Sequence, residues 1–166
     1  MHRDIKSTHI LIDNDNIPKL IDFGTAVHGN RTMFHCEQVL GTEPYIAVEY
    51  KSQKKLTTKA DIFSCGVVLL EIISTRVPTP QEGMTITEWA TTKCFLEIDM
   101  ERDADVSGMF DPFLLASIPI DDRVRIVRLA ADCIHPDPSK RPDSAQLVAR
   151  LLAMSCLTQA ASSSTT

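Results

Sequence analysis

Apolar residues fall into distinct patterns along the chain. Ile10-Leu11-Ile12 is a short β-branched run, Asp13-Asn14-Asp15-Asn16 has the composition of a turn, and a second apolar run extends from Ile17 to Ile21. That order predicts a small β-hairpin. Residues 25 to 46 have no clean period and predict a long exposed segment, of the kind that is usually functional inside a compact domain. From Lys59 to Thr75 the apolar positions (Ile62, Phe63, Cys65, Val67 to Leu70, Ile72, Ile73) leave almost no polar face. This predicts a helix at the centre of a core, ended by Val77-Pro78-Thr79-Pro80.

The remaining half of the chain carries shorter patterns. Thr85 to Leu96 predicts a helix around Trp89, and the acidic stretch Glu97, Asp99, Glu101, Asp103, Asp105 predicts a solvated surface. Asp121 or Asp122 is a candidate cap for a helix running to Ile134, stopped by Pro136 and Pro138. Asp143 is a candidate cap for a last helix to about Met154, and Gln159 to Thr166 predicts a disordered polar tail.

Composition narrows the function classes. A chain of 166 residues is long enough to bury a core, and a net charge of −5 argues against nucleic acid or an anionic membrane surface as main partner. The longest apolar run is too short for a membrane span and carries Glu71, and no signal peptide is evident. Five scattered cysteines without a C-x-x-C pair predict reduced thiols.

The chemistry sits near the start. His2-Arg3-Asp4-Ile5-Lys6 reads as H-R-D with a following lysine, and Asp22-Phe23-Gly24 reads as D-F-G, with the hairpin between them. Gly41-Thr42, Ala47-Val48-Glu49 (near the A-P-E that closes an activation segment), Asp61 and Arg141-Pro142 follow in order. Phosphoryl transfer needs an acceptor for the hydroxyl proton, oxygen ligands for a metal and cations on the phosphates, and this set offers each type.

On these motifs the chain resembles the C-terminal lobe of a protein kinase, most similar to plant receptor-like and Pelle-type Ser/Thr kinases. The likeness covers nearly all of residues 1 to 155. It implies a mainly α fold with a small β-hairpin carrying the catalytic loop. Within it the catalytic loop would be residues 1–13, the activation segment 22–49 and the helical region 50–155, with a disordered tail at 156–166. It implies ATP and Mg²⁺ as cofactors, a protein substrate or a receptor or kinase partner, and a cytoplasmic location. It also implies roles. Asp4 would accept the proton of a Ser or Thr hydroxyl, Lys6 would sit on the γ-phosphate, and Asp22 would bind Mg²⁺. Thr42 would bond to Asp4 and Lys6. Leu11 would touch the adenine, while His2 and Phe23 would stack together beside Gly24. Asp61 would accept backbone N–H groups of the catalytic loop, and Glu49 and Arg141 would form a buried ion pair. Arg3 would clamp an acidic group on the activation segment, for which Glu37 is a candidate.

Departures from the family pattern change this picture. His9 stands where the family has the Asn that ligates a second Mg²⁺. Three readings of His9 stand open: a decayed site, a neutral filler that still permits turnover with one metal, or a ligand for another metal. Val48 replaces the Pro of A-P-E, and Pro44 replaces a Gly common in the receptor-like subgroup. No Gly-x-Gly-x-x-Gly and no V-A-I-K occur in the sequence, so the expectation is a C-lobe without an N-lobe. Its central helix would then expose a large apolar patch. Either Met1 is not the true start, or a partner covers the patch, or the product is unstable. A kinase with an impaired site, a pseudokinase scaffold and a truncated non-functional product are the three functional expectations.

Overall fold

A computed structural model describes residues 1–29, 33–78, 83–97 and 105–154. The fold is mainly helical, with two small two-stranded antiparallel sheets among the described residues. Strands β1 (Ile10–Ile12) and β2 (Pro18–Leu20) form the expected hairpin, with Ile10 opposite Leu20 and Ile12 opposite Pro18. Its turn is set by Asp13, whose Oδ1 accepts the amides of Asp15 and Ile17, and by Asn16 in the left-handed region at φ 60°. A short polar side chain that bonds locally makes that conformation affordable to residues other than glycine.

Residues 25 to 46 are not without structure, contrary to the expectation from their lack of period. Strand β3 (Met33–His35) pairs with β4 (Lys55–Thr57), Phe34 opposite Leu56. Three-residue strands are too short to show an alternation that a sequence pattern could register. Between them runs α1 (Val48–Gln53), which turns into β4 through Lys54 in the left-handed region.

Helix α2 (Thr58–Ser74) is the centre of the core. Thr57 caps its start by accepting the amide of Lys59, and Thr75 ends it in the left-handed region, ahead of Val77-Pro78. Ile62, Phe63, Val67, Val68, Leu70 and Ile73 are all buried. The helix is apolar nearly all round because neighbours cover nearly all of it: α3 (Ile86–Glu97), α5 (Ile120–Cys133), β4 and the backbone at Tyr45, whose carbonyl accepts Ser64 Oγ. Gly66 permits the closest approach. A Cβ added there would lie 2.7 Å from Cys133 Cβ and 2.8 Å from Ile134 Cγ2. The expected large apolar patch on α2 is therefore corrected: of its large apolar side chains only Ile72 is well exposed. Exposed apolar residues gather instead on the hairpin and just after it, at Leu11, Ile12, Ile17, Leu20, Ile21 and Phe23.

A short helix α4 (Pro112–Leu115), capped by Asp111, leads into α5. Helix α5 starts at Ile120, two residues earlier than a cap at Asp121 requires and three earlier than one at Asp122. Pro119 is its N-cap, no side chain caps it, and both aspartates lie in its first turn, where carboxylates favour the helix dipole. Helix α6 (Ser144–Leu152) has Asp143 as N-cap in a reciprocal capping box with Gln146. Cys36, Cys65 and Cys133 are free thiols; burial raises Cys65 to about 11 and Cys133 to about 12, which keeps them protonated and unreactive. The acidic stretch from Asp99 to Asp103 and the tail from residue 155 fall outside the described residues. No helix among the described residues is long and apolar enough to cross a membrane.

Candidate active site

The loop from His2 to His9 is held from below by α2. Asp61, in the first turn of that helix, accepts the amide of His2 on one oxygen (2.8 Å) and the amide of Arg3 on the other (2.9 Å). A carboxylate satisfied by two backbone donors is a strong fixed anchor. It holds Arg3 at φ 73°, an uncommon conformation for a side-chain-bearing residue. Observed backbone outliers of this kind cluster at functional sites. Gly41 passes against the same loop at φ 131°, and a Cβ there would lie 2.6 Å from the Arg3 carbonyl oxygen. Only glycine permits that crossing, and it delivers Thr42 to the loop.

Asp4 is 9% exposed and sits in a cluster of polar side chains. Its Oδ2 lies 3.2 Å from Lys6 Nζ, which in turn donates to Thr42 Oγ1 at 2.7 Å. Burial works to raise the Asp4 carboxyl. The Thr42 hydroxyl, the Lys6 ammonium and His9 outweigh it and hold the carboxyl below its ordinary value. Asp4 Oδ1 is buried with no hydrogen-bond partner. A buried acceptor left open in a cleft is suited to take the hydroxyl proton of an incoming substrate.

His9 ends the loop between two aspartates. Its Nδ1 lies 2.9 Å from the Asp4 backbone oxygen and 3.5 Å from Asp4 Oδ2, and its Nε2 lies 3.4 Å from Asp22 Oδ2. Asp22 itself has φ 61° and accepts the Gly24 amide at 3.3 Å. One donor atom each from Asp4, His9 and Asp22 fall within 4.8 Å of one another. Next to this cluster, the ring of His2 meets that of Phe23 edge-on with centroids 4.8 Å apart. Leu11 is half exposed on the hairpin above.

Two pairings lie further out. Arg141 meets Glu49 in a bidentate contact, 2.7 and 2.8 Å, with both side chains buried. Arg3 is not paired with Glu37: its Nε donates to the Thr25 carbonyl and its Nη1 approaches Cys36 Sγ at 3.9 Å, while the Glu37 carbonyl takes Lys54 Nζ. The left-handed turn at Arg3 directs its side chain to the backbone after Gly24, which leaves it committed elsewhere.

The sequence reading missed one group. Glu71 on α2 accepts Ser7 Oγ at 2.9 Å and Tyr45 Oη at 2.8 Å, bordering an open groove of about 490 Å³ with Lys6 and Thr42 on its rim. Burial, with Glu71 adding to it, raises the Tyr45 phenol to about 12. Glu71 had registered only as the charge interrupting an apolar run. Its partners are too far away in sequence for any local pattern to connect them.

Residues 1–152 match the protein kinase domain family. The chain belongs to that family. It is 38% identical over 154 residues to a proline-rich receptor-like protein kinase, PERK15, of Arabidopsis thaliana, which covers 89% of this chain and 30% of that protein. It is 35% identical over 153 residues to the L-type lectin-domain containing receptor kinase VII.1 of the same plant, covering 89% of this chain and 21% of the relative. A third relative, the leucine-rich repeat receptor protein kinase EMS1, is 35% identical over 153 residues. The chain thus spans less than a third of the length of these receptor-like kinases. In this kinase chain an imidazole, that of His9, lies between the aspartates of H-R-D and D-F-G.

Proposed function

We propose that these residues form the catalytic-loop side of a Ser/Thr protein kinase centre, which in the complete protein transfers the γ-phosphate of ATP to a protein hydroxyl. The observation that carries this reading is the Asp4–Lys6–Thr42 cluster, with Asp4 Oδ1 open and Lys6 Nζ bridging the carboxylate and the threonine. Asp4 orients the substrate hydroxyl and takes its proton as the O–P bond forms. Lys6 places a positive charge where negative charge builds on the transferred group. Thr42 fixes the lysine, and the groove beside Ser7, Tyr45 and Glu71 takes the acceptor segment. The adenine would rest on Leu11.

In this family Mg²⁺ neutralises the phosphates. Asp22 offers the carboxylate such an ion takes, whereas His9 does not suit it, because Mg²⁺ demands oxygen ligands in near-octahedral geometry. A second reading follows from that one residue: a pseudokinase that docks to a receptor or kinase rather than transferring phosphate. Transfer of radiolabelled γ-phosphate by the full protein, native and His9→Asn, separates the two. Label on Ser or Thr, raised by the substitution, supports the kinase. No label from either protein supports the scaffold. By likeness to receptor-like kinases, the domain works on the cytoplasmic side of a membrane.

A further inference from the structure

The surroundings of His9 go beyond a lost magnesium ligand. A backbone oxygen only accepts, so the 2.9 Å contact to the Asp4 carbonyl requires His9 Nδ1 to carry the hydrogen. In the neutral ring Nε2 is then a bare lone pair, and it faces Asp22 Oδ2 at 3.4 Å. Either a proton on Nε2 or a metal ion bound by both atoms can join them there. A backbone carbonyl fixing the far nitrogen is also how proteins orient metal-ligating imidazoles.

The chemistry of the donors discriminates between ions: an imidazole nitrogen beside carboxylates suits a transition metal better than Mg²⁺, which takes oxygen ligands. Asp4 adds an independent observation: a carboxylate nine-tenths buried in the same cluster, with one oxygen lacking any partner.

We infer that Asp4, His9 and Asp22 form a binding site for a divalent transition-metal ion of the Zn²⁺ type, occupied without nucleotide. One nitrogen and two carboxylates suit such an ion and leave a position for water. Zn²⁺ there engages Asp4 and Asp22 together, so it acts as an inhibitor of any phosphotransfer at the same residues. The site does not depend on that activity.

The test is calorimetric titration of the full chain with ZnCl₂ in excess Mg²⁺ and without ATP, alongside His9→Asn and Asp22→Asn. Circular dichroism melts verify that each variant is folded. The expected result is one Zn²⁺ bound by the native chain, and binding on the order of 10–100-fold weaker in both variants. In the native chain the ¹⁵N shift of His9 Nε2, and not Nδ1, moves on titration. Zn²⁺ binding unaltered by His9→Asn, displacement by Mg²⁺, or no binding at all overturns the proposal. Each of those outcomes leaves the kinase reading standing, because phosphate transfer is measured separately.

Discussion

Replacing Arg141 by methionine tests the packing logic that connects the turn before α6 to α1. The Arg141 side chain is fully buried, with Nη1 and Nη2 on the two Glu49 oxygens at 2.7 and 2.8 Å. Nη1 also donates to the Lys59 carbonyl at 2.9 Å and Nε to the His135 carbonyl at 2.8 Å, while the guanidinium lies 5.0 Å over the ring of Phe63. Methionine keeps much of the volume and removes every donor. It leaves Glu49 as a buried charge without a partner, worth about 3–5 kcal/mol of lost stability. The two carbonyls lose donors as well, at about 1–3 kcal/mol each where water cannot reach them. Against a total of about 5–15 kcal/mol for a domain, the single variant is expected to be barely folded. Glu49→Leu combined with Arg141→Met removes the stranded charge and leaves only the carbonyl loss. The double variant is therefore expected to be more stable than Arg141→Met alone, by at least about 1 kcal/mol. Urea unfolding followed by circular dichroism gives both numbers from midpoints at constant m. A loss below about 1 kcal/mol for the single variant, or a double variant no more stable than the single, would refute the claim that a buried charge pair is being broken.

Three further outcomes follow from the same packing. Gly66→Ala drives a methyl into Cys133 and Ile134 and is expected to cost about 1–3 kcal/mol, read as a shift in urea midpoint. Asp143→Ala removes the capping box of α6 and is expected to cost about 1 kcal/mol by the same assay, with α6 amides exchanging faster. Asp4 titrates below its ordinary value in the folded chain, so its contribution to stability is present above the unfolded pKa. That contribution is lost as pH falls through the lower, folded one. Stability measured from pH ~5 downward should therefore fall less steeply in Asp4→Asn than in the native chain, and identical slopes would remove Asp4 from the acid transition.

Much of this architecture is legible in the sequence. An apolar run of helical length with no polar face could only be a central helix, and Asp13 to Asn16 between two β-branched runs could only be a turn. The motif order groups Asp4, Lys6, Asp22 and Thr42 as the set of one family. Long-range geometry was not legible. Strands β3 and β4 are too short to carry a period, and their pairing is decided by tertiary packing. The family resemblance pairs Arg3 with an acidic group on the segment that holds Glu37, whereas its left-handed backbone sends the side chain to Thr25. The start of α5 was misplaced because Asp121 and Asp122 are good caps and equally good first-turn residues. The exposed apolar patch was assigned to α2 by reasoning about missing neighbours. In the structure, α3, α5 and β4 cover that helix, and the hairpin with the residues just after it carries the exposed apolar surface.

The most direct test of the catalytic reading is the rate of γ-phosphate transfer to Ser and Thr by the full protein, native against Asp4→Asn. The account predicts measurable transfer by the native protein and a fall on the order of 10²–10⁴-fold on losing the proton acceptor. Transfer that survives the substitution undiminished, or no transfer by the native protein, would contradict it.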